Sequence, residues 1–125
     1  MHPLVLALLI VFAGCSRSEQ SPAPAPAKAS KDPVAARQLI AGGATVIDVR
    51  TPEEFTDGHL PQATNIPVDT VATRIADVDK LVGGDRAHAI VVYCAAGSRA
   101  AKAKVALEAA GFTHVVNGGG FDDLN

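Results

Sequence analysis

The sequence predicts an α/β domain with a largely parallel sheet flanked by helices. Three observations carry that prediction. From residue 32 onward, short β-branched or apolar runs alternate with segments of helical spacing, the pattern of a parallel sheet. Ala89-Ile90-Val91-Val92-Tyr93 is apolar throughout, as a strand covered on both faces must be. A helical stretch from Ser98 to Ala110 follows almost at once, with Ala100, Ala103, Leu107 and Ala110 on one stripe and Gly111 at its end.

The remaining elements follow in chain order. Asp32 then Pro33 is a helix start: a side-chain acceptor at the N-cap and a fixed φ at the first helical position. Ala36, Leu39 and Ile40 give this helix one apolar face, and Gly42-Gly43 ends it. Thr45 to Val49 reads as a buried strand. Thr51-Pro52 breaks it, and Thr51 with Glu54 three residues on is a capping box that opens a single helical turn. His59-Leu60-Pro61 is a loop, and Ala63 to Ile66 a short strand stopped by Pro67. Val68, Val71, Ile75, Val78 and Leu81 recur at spacings of three and four, which predicts one helix over 68–81 closed by Gly83-Gly84. Thr113 to Val116 reads as the last strand, and Gly118-Gly119-Gly120 as a turn. No internal repeat is present.

The stretch before the domain has a different character. Leu4 to Ala13 is an unbroken apolar run, short of the roughly 20 residues a membrane-spanning helix takes, but the size of a signal-peptide core. It ends in Phe12-Ala13-Gly14-Cys15, which resembles the bacterial lipoprotein signal. That resemblance implies cleavage before Cys15 and a lipid on it, with Ser16 pointing to the outer membrane if there is one. A plain secretory signal and an uncleaved anchor are the alternatives. Residues 16–32, SRSEQSPAPAPAKASKD, alternate Pro and Ala and carry no apolar period. They read as a tether with a reach on the order of 50 Å, although a tail without purpose has the same composition. The expected organisation is a signal peptide over 1–14, a tether over 15–31 and one domain over 32–125. The 125 residues are enough for one domain and not two, so a single domain is expected.

Composition excludes some functions. Net charge is −2 with no basic block, and Trp is absent, which argues against nucleic acid as a partner. His2, His59, His88 and His114 lack metal-ligand spacing, so no metal is expected, and His59 reads as a loop histidine. The glycine run has neither a GxGxxG nor a Walker pattern. No apolar stripe demands a dimer, and a monomer is expected.

The candidate chemistry lies at Cys94. In open α/β sheets ligands bind beyond the carboxyl ends of the strands, and Cys94 stands at such an end. The small residues Ala95, Ala96, Gly97 and Ser98 can follow a tight curve into the helix, with amides turned inward as an anion-binding nest. The reactive form of a thiol is the thiolate. A helix N-terminus contributes about 0.3–1 kcal/mol to a nearby anion. That falls short of holding a thiolate at neutral pH, so the loop amides and Arg99 are expected to supply the rest. The alternative is a small buried hydrophobe. Exported chains normally pair their cysteines. If Cys15 carries a lipid, Cys94 has no partner; if not, a Cys15–Cys94 disulfide is open.

Four stretches together resemble the single-domain rhodaneses, the sulfurtransferase family, of the exported type. They are Val46-Ile47-Asp48-Val49-Arg50 with Pro52-Glu53-Glu54-Phe55; Gly58-His59-Leu60-Pro61-Gln62-Ala63-Thr64-Asn65-Ile66-Pro67; Cys94-Ala95-Ala96-Gly97-Ser98-Arg99; and Asn117-Gly118-Gly119-Gly120-Phe121. The resemblance implies the three-layer rhodanese-like fold over about Asp32 to Leu124. It implies that Cys94 takes sulfane sulfur from thiosulfate or a similar small anion as a persulfide. A thiol or cyanide then accepts the sulfur, without cofactor. Ala95, Ala96, Gly97, Ser98 and Arg99 would bind the substrate. Asp48 and Arg50 would support the fold and rim, with substrate contact by Arg50 the alternative. Sulfur-handling members count six residues from Cys to Arg, as Cys94 to Arg99 does, whereas phosphatase-like and arsenate-reducing relatives use a wider loop. A non-catalytic module that binds a partner or carries sulfur is the competing reading. With the signal, the resemblance places the protein at the cell envelope, anchored through Cys15 or free in the periplasm. Family members usually continue into a final helix; here the chain stops at Asn125, which predicts a single turn or a less covered sheet face.

Overall fold

A computed structural model describes residues 30–125. The signal, Cys15 and most of the tether lie outside the described residues. Within them the chain runs α1 (Pro33–Ala41), β1 (Thr45–Asp48), α2 (Pro52–Asp57), β2 (Ala63–Asn65), a 3-10 segment (Val68–Thr73), α3 (Ile75–Leu81), β3 (Ile90–Cys94), α4 (Ser98–Ala109), β4 (Val115–Gly120) and α5 (Phe121–Leu124). The strands form one parallel sheet in the order β2-β1-β3-β4, which puts β1 and β3 in the middle.

Local signals set the first elements. Asp32 accepts from the Ala35 amide, Pro33 opens α1, and Gly42 closes it. Thr51 and Glu54 form the capping box of α2, which extends past a single turn to Asp57. The two-residue period of the strands then sorts side chains onto two faces. Ile47, Val49, Ile90, Val92 and Cys94 join Val71, Val78, Ala100, Ala103, Leu107 and Phe112 in the larger core. Val46 and Tyr93 point the other way and meet Leu60, Ile40, Phe121 and Leu124 in a smaller one. The helices thus lie on both sides of the sheet. α5 is one turn long, and with α1 it covers the second face.

Two expectations need correction. Residues 68–81 are not one helix. The chain breaks at Arg74, whose φ of −116° and ψ of 28° lie outside the helical basin. Val68 to Thr73 winds as a tighter 3-10 segment because Thr70 and Thr73 turn their hydroxyls back onto the carbonyls of Pro67 and Thr70. Val71 and Val78 are still buried, since their spacing suits both windings; Leu81 is exposed.

The last strand is also misplaced by sequence. It starts at Val115 and runs through the glycines to Gly120, so Gly118-Gly119-Gly120 is strand, not turn. Close packing explains the glycines. A Cβ on Gly118 would lie 2.8 Å from Leu124 Cδ1 and 3.1 Å from Val91 Cγ1. A Cβ on Gly120 would lie 2.2 Å from the Ala95 carbonyl oxygen. The strand carries glycine where α5 and the loop after Cys94 press against it. An irregularity in the β3–β4 register between Val92 and Cys94 sets Gly120 opposite Cys94.

Candidate active site

β3 ends on Cys94, and α4 starts four residues later. Between them Ala95 and Ala96 are exposed and Gly97 is buried. Gly97 adopts φ +113°, a left-handed conformation that glycine takes at little cost. This turn brings its N–H back onto the thiol: Gly97 N–H donates to Cys94 Sγ at 2.9 Å. Cys94 itself is 1 % exposed and is a free cysteine. The sulfur therefore sits at the carboxyl end of a central strand, at the start of a twelve-residue helix, with a backbone amide aimed at it.

Gly97 is fixed from the other side as well. The side chain of Asn117, buried on β4, donates from Nδ2 to the Gly97 carbonyl (3.0 Å) and accepts from the Gly119 amide at Oδ1 (2.9 Å). The Ala101 amide donates to the same Gly97 carbonyl (2.9 Å), the first bond of α4. Lys31, placed by sequence in the tether, lies against this layer. Its Nζ pairs with Asp123 (3.1 Å), and Asp123 in turn accepts from the Gly120 amide (2.8 Å). The Asp32 amide donates to the Asn117 carbonyl at 2.8 Å. The chain thus enters the domain beside the cysteine loop.

Arg99 is not turned onto the sulfur. Its guanidinium grips Glu54 with two bonds, Nη1 to Oε1 at 2.7 Å and Nη2 to Oε2 at 3.0 Å. The bonded Arg99 holds the Glu54 carboxyl well below its usual 4.5, at about 2, with help from Thr51. Glu54 raises Arg99 in return, and Cys94 adds a smaller coulombic pull. Glu54 was legible only as a cap; its second role spans from α2 to α4. Because its acidity is strengthened on folding, the pair stabilises the fold above pH 4.5, and that contribution fades as pH falls toward about 2. Both side chains are about a third exposed, so solvent screens the effect to about 1 kcal/mol or less. Glu54→Gln is expected to lose less stability than the wild type between pH 6 and pH 3 in paired thermal melts. A parallel loss in both would contradict this.

Asp48 and Arg50 form a buried ion pair at the end of β1. Asp48 is fully buried and Arg50 nearly so. Asp48 accepts from the Arg50 backbone amide (2.9 Å), from Nε (3.1 Å to each oxygen) and from Nη2 (2.7 Å). Arg50 Nη2 also donates to the Gly58 carbonyl at 2.6 Å, and its guanidinium lies 4.9 Å from the Phe121 ring centre. These contacts tie the end of β1 to the end of α2 and to α5. Beside them the Tyr93 hydroxyl accepts from the Leu60 amide (3.1 Å), and burial pushes its pKa up to about 12, so it stays protonated. His59 has a local partner, the Phe55 carbonyl 2.8 Å from Nδ1, and stacks on the Phe55 ring. Among the described residues no group of three or more His, Cys, Asp or Glu is placed to hold a metal.

Of the residues singled out by sequence, Cys94, Ala95, Ala96, Gly97, Ser98 and Arg99 form one strand–loop–helix unit, and Asp48 and Arg50 lie at the end of the neighbouring strand. Cys15 is outside the described residues. Sequence reasoning missed Asn117, whose position ahead of three glycines was the available signal, and the pairing of Glu54 with Arg99.

Residues 32–124 match the model of the rhodanese-like domain. The chain is 41 % identical over 78 residues to thiosulfate sulfurtransferase PspE of Escherichia coli strain K12, a match covering 62 % of this chain and 71 % of the relative. It is 32 % identical over 72 residues to a sulfurtransferase of Allochromatium vinosum, over 58 % of this chain and 62 % of that one. Among solved structures, an E. coli rhodanese determined with anions superposes with a TM-score of 0.58 at 40 % identity, covering 65 % of this chain and 91 % of the other. The human single-domain sulfurtransferase TSTD1 gives 0.58 at 27 % identity, over 71 % of this chain and 88 % of that one.

Proposed function

Since the chain belongs to the rhodanese-like family and is a sulfurtransferase of the thiosulfate type, we propose that it transfers sulfane sulfur through a persulfide on Cys94. The observation that carries this reading is the Gly97 N–H aimed at Cys94 Sγ at the head of α4. That amide favours the Cys94 thiolate, which attacks the donor and is the leaving group when the outer sulfur is passed on.

The steps balance without a cofactor. The Cys94 thiolate attacks the outer sulfur of thiosulfate; a new S–S bond forms, the donor's S–S bond breaks, and sulfite leaves with the electron pair. A thiol or cyanide then attacks the outer sulfur of Cys94–S–S⁻, and the electrons of the cleaved bond return to Cys94 as thiolate. Gly97 holds the sulfur, and the neighbouring loop residues Ala95, Ala96 and Ser98 form the wall the donor meets. Arg99 supplies positive charge near the sulfur while Glu54 fixes its direction. Asp48 and Arg50 support the fold and rim. The leader over 1–14, lipidation of Cys15 and the tether over 15–31 place the domain at the cell envelope.

The test is turnover. Thiosulfate with cyanide is expected to give thiocyanate, and an aryl phosphate to be left intact, because six residues from Cys94 to Arg99 make a narrow loop for a tetrahedral phosphoryl group. Hydrolysis of the phosphate without thiocyanate formation would overturn the reading. Loss of both would leave a binding or carrier module.

A further inference from the structure

We propose that Asn117 is a positioning residue that sets the Gly97 amide on the Cys94 sulfur. The inference deepens the sulfur-transfer reading and rests on it. Gly97 links the sulfur to β4: its N–H donates to Cys94 Sγ and its carbonyl accepts from Asn117 Nδ2. The two peptide planes around Gly97 fix where that N–H points, and a residue at φ +113° has a broad choice of neighbouring conformations open to it only because it is glycine. Something must therefore remove that freedom. Asn117 does so from one side chain, with its donor on the Gly97 carbonyl and its acceptor on the Gly119 amide. The second bond fixes which way the Asn117 amide faces, because Oδ1 is committed to an N–H and Nδ2 is thereby left toward Gly97.

The position is also well backed. Asn117 is 1 % exposed and pairs with Val92 across β3, two residues before the cysteine. Its own carbonyl accepts from the Asp32 amide, so the strand is pinned at this residue by the entering chain. The Gly119 amide depends on this side chain, and the Gly97 carbonyl, which also accepts from the Ala101 amide, keeps only that one bond without it. Its removal loosens Gly97 on the β4 side, and the donor to the sulfur is less well aligned.

The experiment uses the whole chain, labelled with nitrogen-15, and two variants, Asn117→Ala and Asn117→Ser. Iodoacetamide alkylation at pH 7 is followed on the Cys94 peptide, and the Gly97 amide resonance is followed as the sulfur is capped. In the wild type the Gly97 amide is expected to move strongly on alkylation, and the Asn117 side-chain amide to move with it. In the variants the Gly97 response is expected to shrink and alkylation to slow about tenfold, the worth of one charge-assisted hydrogen bond. A merely structural role would lower the melting temperature and leave both readouts in place. Folded variants that keep the Gly97 response and alkylate within about twofold of wild type overturn the proposal. If neither variant folds, the wild-type spectrum decides: an Asn117 side chain that is silent while Gly97 moves overturns it, and one that moves supports it. Failure of the sulfur-transfer reading is seen separately, as absence of thiocyanate from an otherwise normal wild-type protein.

Discussion

Cys94→Ser is expected to abolish thiocyanate formation while leaving the fold in place. The reaction stores a sulfur atom on the side chain between two half-reactions, and a serine hydroxyl is neither ionised at neutral pH nor able to form the persulfide. Loss of a nucleophile on which both steps depend returns turnover to the uncatalysed rate, a fall on the order of 10³-fold or more. The fold is expected to tolerate the change. Oγ replaces Sγ at nearly the same place, and the Gly97 N–H still finds an acceptor there. The stability cost is about 2 kcal/mol or less. The checks are a steady-state assay and a thermal melt on the same preparation. Residual turnover in the serine variant, above the rate without protein, would remove Cys94 from the mechanism.

Asp48→Ala is expected to be the most destabilising single change at the site. It leaves the Arg50 guanidinium buried with its carboxylate partner gone, and breaking one side of a buried ion pair costs about 3–5 kcal/mol. Against a typical total of about 5–15 kcal/mol, that is a large fraction of the fold's stability. Four bonds from Arg50 to Asp48 disappear at once, and the surviving one to the Gly58 carbonyl holds a charge without a counter-ion. Replacing both residues by apolar ones, Asp48→Leu with Arg50→Met, is expected to cost less than the single change, since the buried charge leaves with its partner. Urea midpoints of the three proteins measure this. A single variant that loses less than about 1 kcal/mol would show that water reaches Arg50 and screens it.

Much of the fold is legible locally, and the exceptions have two causes. α1, α2 and α4 announce themselves by caps and stripes, and β1 and β3 by apolar runs, because in each case neighbours in sequence settle the conformation. Residues 68–81 carry a helical spacing that two windings satisfy equally, and the choice between them is made by the Thr70 and Thr73 hydroxyls. Gly118-Gly119-Gly120 reads as a turn by composition, yet it is strand because Leu124, Val91 and the Ala95 carbonyl fill the space where side chains would stand. That crowding comes from elements far apart in the chain. The site divides in the same way. Cys94 and its loop are contiguous and were readable from residue type and order. The partners that hold the loop were not. Glu54 satisfies a local cap and so gives no sign of Arg99, and Asn117 meets Gly97 only after β4 has paired with β3.

Intact mass reads the persulfide on Cys94 itself. The whole chain is reduced, weighed, treated with thiosulfate and weighed again, with Cys94→Ser beside it. A gain of about 32 Da, one sulfur atom, is expected, which cyanide removes and the serine variant never shows. A folded, reduced protein that gains no mass, or a serine variant that gains as much as the wild type, would contradict the persulfide.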